Sequence, residues 1–518
     1  MIFDTPTVGA DGRGVLPRSD VAIIGFGPVG AVLAGLLGRR GLDVTVIERE
    51  TDVFRLPRAA HVDHTGLRTI QELGCLEELL PTMLPNPGLD FVTAEGRLLM
   101  RVPGDQSSVS SLPSSMYFHQ PEFDRCLRQA CARMPNVSVH LGLDAREFIE
   151  REDRVSVRAI DAAGKVRTVT ASWVVGCDGA WSAVREAAGI TQEDLGFEER
   201  WLVVDLLLRN EVSTLPNRAV TICDPQRPLY SIPMPEPRHR FEFMLRDGED
   251  AVAAQTTDNV MSLISRWVPS GTAEVERAAV YTFHGLVADT WRRGRLLIAG
   301  DAAHQMPPFL GQGMCSGIRD AANLAWKLER VARLGASAAL LDTYGPERRP
   351  HVRRIAESAV QFGRIICTVD PVVAAERDRE FLADAADPAE RIPFALPDLT
   401  SGPLVLAGGG ELFLQPASDN GRPRFDDLVG PRFLVLARDR EHLDGSESWW
   451  IQMLDARVFL LNELPSYSVE LQRWMDARAA DVVLVRPDRY VLAAGSELGS
   501  ITNSVVELLA AAQPLAKN

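Results

Sequence analysis

One short segment constrains the fold more than any other. Val21-Ala22-Ile23-Ile24 is an apolar run with the length of a buried parallel strand. Gly25-Phe26-Gly27-Pro28-Val29-Gly30 follows without a break, then a helical pattern from Ala31 to Arg40 that stops at Gly41. A second apolar run, Asp43 to Ile47, ends on Glu48. In such a strand–turn–helix–strand unit, Gly25 permits the tight turn. Gly27 lets the backbone approach a pyrophosphate, and Gly30 lets the helix lie close on the strand. The helix start offers unpaired N–H groups and partial positive charge to phosphates. Glu48 stands 23 residues beyond Gly25, where an acid accepts hydrogen bonds from a ribose diol. A glycine pattern alone is weak. Because strand, helix, second strand and terminal acid coincide, the unit reads as a dinucleotide site, without separating FAD from NAD.

Two later segments narrow the choice. Trp173 to Cys177 reads as a buried strand, followed by Asp178-Gly179-Ala180-Trp181-Ser182-Ala183-Val184-Arg185 and a short Ser-capped helix ending near Gly189. Arg295 to Ala299 is a third such strand, running into Gly300-Asp301-Ala302-Ala303-His304 and then Gly311-Gln312-Gly313-Met314. A long amphipathic helix begins there, with Met314, Ile318, Ala321, Ala325 and Leu328 along one face. Asp301 can hold a polyol chain by hydrogen bonds. The N–H groups around Gly313 and Met314 can face a ring carbonyl.

With these three motifs in order, the chain resembles the single-component flavin aromatic hydroxylases of the para-hydroxybenzoate hydroxylase fold. The resemblance runs from about Asp20 to Ile366 and rests on GFGPVG, GCDGAWSAVR and LLIAGDAAHQMPPFLGQGMCSGIRDAANLAWKL. PRAAHVDHTGLRTI, CDPQRPLY and RFEFML are similar to stretches of the 3-(3-hydroxyphenyl)propionate hydroxylase group. The resemblance implies FAD as cofactor, NAD(P)H as a transient co-substrate, and oxygen transfer to a small phenol through a flavin C4a-hydroperoxide. It places Gly25, Gly27, Gly30 and Glu48 at the ADP half of FAD, and Arg49 among the cofactor-binding residues. Arg58 would lie near the flavin or its ribityl chain, Gln120 at that chain, and Asp178 beside the diphosphate and the NAD(P)H path. Asp301 would hold the ribityl hydroxyls, with Gly311, Gly313 and Met314 at the flavin pyrimidine ring. No second complete GxGxxG follows the first, which suits a nicotinamide that only visits.

The phenol needs a proton acceptor near its hydroxyl, because a ring attacks better as the phenolate. His61, Tyr230 and Arg240 are the candidates carried forward, from a wider set that includes His64, Tyr117 and His284. Arg240 and Glu242 alternate with Phe241 and Phe243, so the two sets lie on opposite faces of a strand. Arg240 could pair with a substrate carboxylate or the cofactor, or lie at the surface. His61-Val62-Asp63-His64 lacks a third ligand cluster, and no metal is expected.

The expected fold class is α/β, with a Rossmann-like FAD-binding domain, an interleaved α+β substrate domain and a C-terminal thioredoxin-like domain. The 518 residues divide into an arm (1–19), a first FAD-binding part (20–190) and a mainly β substrate domain (191–285). A second FAD-binding part (286–367), a connector (368–400) and the thioredoxin-like region (401–518) follow. That last region has no cysteine, so disulfide exchange is excluded there and a packing or homodimer role is expected. The net charge of −15 argues against nucleic acid and anionic membranes. No apolar run spans a bilayer, and the polar start is unlike a signal peptide. Seven irregularly spaced cysteines without a CxxC pair suit reduced thiols in the cytoplasm. Two alternatives stay open: another flavoenzyme (halogenase, reductase or oxidase), or a non-catalytic protein that keeps the fold. Against a halogenase, the WxWxIP segment is missing, since Trp449-Trp450 has the wrong spacing.

Overall fold

The apolar runs become neighbouring strands whose ends align. Ser19–Ile24 lies between Val44–Glu48 and Val166–Gly176, parallel to both, and Leu296–Ile298 runs parallel to Val166–Gly176 on the far side. Ile24 is level with Gly176, and Gly176 with Ile298. The turns carrying all three motifs therefore leave the sheet at one edge, the carboxyl ends of parallel strands where α/β folds bind ligands. Val137–Leu141 extends this eight-stranded sheet beyond Val44–Glu48, and Leu143–Glu150 with Val155–Asp161 form an antiparallel branch. The computed structural model describes residues 18–53, 59–104, 108–383, 395–417, 421–443, 448–497 and 503–509.

The glycines of the first turn are fixed by contact. Gly25 has φ of 98°, and a side chain there would place its Cβ 2.3 Å from the Cys177 carbonyl oxygen. At Gly30 an added Cβ would lie 2.1 Å from the Gly25 oxygen. The helix Pro28–Arg39 starts with proline at a position that needs no N–H donor, and it buries most of its length against the sheet. The long helix Gly313–Ala332 packs beside it, its buried face including Ile318, Ala321, Ala325 and Leu328.

A second eight-stranded sheet stands opposite, in the order His304–Gln305, Ala273–Ala288, Gln192–Leu208, Arg238–Met244, Leu229–Pro233, Ala219–Ile222, Gly88–Val92, Leu98–Pro103. Its last two strands come from residues 88–103, outside the 191–285 span expected for the substrate layer. The second and third strands of this order, Ala273–Ala288 and Gln192–Leu208, are long and antiparallel. Their runs of Glu, Asp and Arg hide the two-residue period from a reading of the sequence. The alternation expected around Arg240 holds. Phe241 and Phe243 join an apolar cluster with Val260 and Ile264, while Arg240 and Glu242 face the other way, into a cavity.

The C-terminal region forms a four-stranded sheet, Arg457–Leu460, Leu434–Ala437, Val482–Val485 and Val491–Gly495; the first pair is parallel and the rest antiparallel. It is packed onto the long helix through Trp326, Leu340, Leu404, Phe433 and Val435. Buried ions tie it down: Glu347 takes Lys327 and Arg486 at 2.9 Å each, and Arg68 binds Asp426 at 2.5 and 2.8 Å. The connector contributes the helix Pro371–Ala383. Among the described residues no helix is long and apolar enough to cross a membrane.

Candidate active site

A cavity of about 760 Å³ lies between the aligned strand ends and the second sheet, within the usual size for a small-molecule site. Gly27, Pro28, Val29, Asp301 and the stretch Gly311 to Met314 form one wall, and Tyr230, Ile232, Arg240 and Glu242 the other.

On the first wall, a Cβ added at Gly27 would meet nothing within 4 Å. No side chain caps the helix start there. Empty space and unspent N–H groups thus meet at the turn, as a pyrophosphate requires. Glu48 is buried at the end of its strand; Phe26 N–H donates to Oε2 (2.6 Å) and Glu50 N–H to Oε1 (2.9 Å). Each oxygen keeps a further lone pair for a diol. Asp178 accepts from Val184 N–H at 3.2 Å through Oδ2, while its buried Oδ1 has no hydrogen-bond partner among the described residues. Burial pushes this carboxyl above its ordinary range. Asp301 lines the cavity on a turn pinned from behind by Asp320, which accepts from Gly300 N–H (3.2 Å), His304 Nε2 (2.7 Å) and Arg348 Nε (2.9 Å). Gln120 Oε1 accepts from Ala59 N–H at 2.9 Å. Its amide lies 3.3 Å from Asp124, whose carboxyl burial pushes up to about 7. Arg49 is 64% exposed, stands 3.5 Å from Glu50 and is off the cavity lining. Arg58 lies outside the described residues.

The catalytic candidates are brought together, in altered roles. His61 belongs to the strand His61–Asp63, paired with Ser115–Tyr117. Its Nδ1 is 3.1 Å from the Gly311 carbonyl and its Nε2 is 2.6 Å from Ser115 Oγ. A carbonyl only accepts, so Nδ1 carries the proton and Nε2 accepts from the serine. Asn86 Nδ2 donates to the same hydroxyl at 2.7 Å. Burial holds the His61 imidazole below its ordinary range, against the pull of Asp63. Asp63 caps the next helix through Thr65 and Gly66 N–H groups. Burial alone would raise its carboxyl, but Arg319 at 2.7 Å, His64 and the Thr65 and Gly66 donors together outweigh this and hold it well below the carboxylate range.

Tyr230 donates its hydroxyl to the Phe309 carbonyl at 2.9 Å, and burial raises it well above an ordinary phenol. Arg240 is 1% exposed, which rules out a surface position; it grips Asp205 with Nε at 2.6 Å and Nη2 at 3.1 Å. Arg277 Nε joins the same carboxylate at 2.8 Å. A shift of strand register at Asp205 and Leu206 sets this aspartate opposite Arg277. Among the wider candidates, His64 bonds Ser110 at 2.9 Å, Tyr117 is buried in the cavity wall, and His284 stands 3.6 Å from Glu198. Ser115, Asn86, Asp205 and Glu242 escaped the reading of the sequence. Only Glu242 had left a signal, by sharing a strand face with Arg240.

The donors, the open crest at Gly27 and the orphaned Asp178 oxygen suit an FAD stretched along the first wall. Similarity to known proteins points to the same cofactor. The FAD binding domain family matches residues 18–359. A probable NADH-specific resorcinol 4-hydroxylase from Rhodococcus jostii (strain RHA1) is 36% identical over 512 residues, covering 96% of each chain. A 3-(3-hydroxy-phenyl)propionate/3-hydroxycinnamic acid hydroxylase from Shigella sonnei (strain Ss046) is 32% identical over 531 residues, covering 95% of each. The chain belongs to the FAD-dependent aromatic hydroxylases. FAD is the cofactor of this hydroxylase and NAD(P)H its co-substrate. Its fold is shared with the flavin-dependent monooxygenase PieE, solved with FAD and substrate. That match has a TM-score of 0.77 at 19% identity and covers 95% of this chain and 98% of the other. Residues 410–511 of the hydroxylase match the HcaD C-terminal domain family.

Proposed function

We propose that this hydroxylase uses NADH and O₂ to add one hydroxyl to a small monocyclic phenol, ortho to a hydroxyl already present. The observation that carries this reading is the single cavity that joins the nucleotide turns to the His61–Ser115 pair. NADH and a phenolic ring are also what the names of the Rhodococcus and Shigella relatives suggest. When bound, FAD supplies the transfer of electrons from NADH and of one oxygen atom from O₂.

The residues divide the remaining work. Backbone N–H groups at the helix start after Gly27 receive the pyrophosphate, and Glu48 the adenosine ribose. Asp301 and Gln120 hold the ribityl chain, and the N–H groups of Gly313 and Met314 face the pyrimidine ring. His61 is the proton acceptor. A proton leaving the phenol reaches Ser115 Oγ as the serine passes its own to His61 Nε2. Burial disfavours the resulting imidazolium, so the proton does not rest there. Tyr230 fixes the loop at Phe309, and Arg240 holds the charged floor of the cavity. A cytoplasmic site, supported by seven free cysteines, belongs to the same reading. So does a homodimer, on the resemblance alone. The parallel pair followed by antiparallel strands supports a thioredoxin-like C-terminal region.

A panel of phenols tests the reading with FAD-loaded protein. The expected result is NADH oxidation stimulated by a small phenol, with a product carrying one more hydroxyl in matching yield. Stimulated oxidation that yields only peroxide with every phenol overturns it.

A further inference from the structure

The second wall holds a buried polar group that the proposed mechanism leaves unused. Glu242 lines the cavity from the strand Arg238–Met244, with its side chain 7% exposed. Its nearest cation, Arg240 Nη1, is 3.9 Å away, and the side chain makes no hydrogen bond among the described residues. Its flanking neighbours offer it little. The cross-strand partners are Val203 and Tyr230, and the Tyr230 hydroxyl is already given to Phe309. Its charged neighbours are Arg240, Asp205 and Arg277, and Ile232 lines the same wall.

A buried carboxyl without a donor is costly unless a ligand supplies one. The local charges define that ligand. Arg240 and Arg277 both rest on Asp205, and with Glu242 the cluster balances two guanidinium groups against two carboxyl groups. No Lys or Arg other than Arg240 lines the cavity among the described residues. The site therefore suits a neutral donor better than an anion.

We propose that Glu242 determines specificity by accepting a hydrogen bond from a second hydroxyl on the aromatic substrate. The hydroxyl that reacts lies at Ser115 and His61, and the second is anchored at Glu242. The favoured class is a dihydroxybenzene, ahead of monophenols and of phenols bearing a carboxylate. This inference rests on reading the cavity as the phenol site. It adds the residue that chooses among phenols.

Binding to the FAD-loaded protein, read from perturbation of the flavin absorbance, tests it with resorcinol, phenol and 3-hydroxybenzoate. Wild type should bind resorcinol about tenfold or more tightly than either other probe. Glu242→Leu should weaken resorcinol by about tenfold or more and phenol by less than about threefold, while Glu242→Gln, which keeps an accepting oxygen, largely restores resorcinol. Equal weakening of resorcinol and phenol in Glu242→Leu overturns the proposal. If that variant does not fold, wild type decides alone: phenol or 3-hydroxybenzoate bound as tightly as resorcinol overturns it. Product analysis separates the two readings. The expected binding order without any hydroxylated product removes the proposed function and leaves the Glu242 assignment standing. A hydroxylated product without discrimination does the reverse.

Discussion

The two walls of the cavity are built by different means. The proposed nucleotide wall adds to the side chains of Glu48, Gln120 and Asp301 a set of backbone features: an open turn at Gly27, a helix start without a side-chain cap, and a second helix start at Gly313. The opposite wall works through side chains on one face of an antiparallel sheet, with Asp205, Arg240, Arg277 and Glu242 buried together. Backbone donors are placed by the fold itself and suit a ligand that is always the same. Side chains on alternate sheet positions can change without moving the strand, which suits the choice of a substrate.

Asp205→Ala should break the side-chain wall most severely. It removes the carboxylate that two buried guanidinium groups share and should lower unfolding stability by about 3–5 kcal/mol; a loss below about 1 kcal/mol in a denaturant titration would mean the charges are not held as described. On the backbone wall, Asp301→Ala should weaken FAD by about 1.5–3 kcal/mol with the fold largely intact. Unchanged affinity in a fluorescence titration would remove Asp301 from the cofactor site. Gly27→Ala sharpens the contrast. An added methyl meets no protein atom within 4 Å, so the fold should lose no more than about 1 kcal/mol, while FAD binding falls by about tenfold. Normal FAD binding in that variant would show that the cofactor does not approach the turn.

The smallest effect concerns His239, on the sheet face turned from the cavity, where its ring lies tilted against Phe241, centroids 5.0 Å apart, and bonds Ser231 Oγ at 2.9 Å. Burial holds its imidazole down to about 4. Below about pH 6.5 the unfolded chain takes up a proton that the folded chain refuses, so this residue makes stability fall as pH falls. Between pH 7 and 5.5 the loss should be about 1 kcal/mol, and His239→Gln should remove that increment. Parallel pH profiles of wild type and variant would contradict the assignment.

The same contrast explains what the sequence could reveal. The nucleotide wall is written in contiguous residues: an apolar strand, a glycine turn and a terminal acid. Register then brings Ile24, Gly176 and Ile298 level. The side-chain wall is assembled across distance. Ser115 meets His61 from 54 residues away, and Asp205 meets Arg240 and Arg277 from 35 and 72. No local period announces such meetings. Tyr230 and Arg240 were legible as cavity residues, but their partners, Phe309 and Asp205, were not. In the C-terminal sheet the strand Val491–Gly495 ends in Ala-Ala-Gly, which carries little strand signal.

Isotope labelling tests the central claim most directly. FAD-loaded protein is given NADH and a phenol that stimulates NADH oxidation, once under ¹⁸O₂ in ordinary water and once under ordinary O₂ in H₂¹⁸O, and the product is weighed by mass spectrometry. The expected product gains one ¹⁸O atom from the gas and none from water. Label entering from water, or a phenol recovered without added oxygen, would contradict the assignment of this cavity as a flavin hydroxylation site.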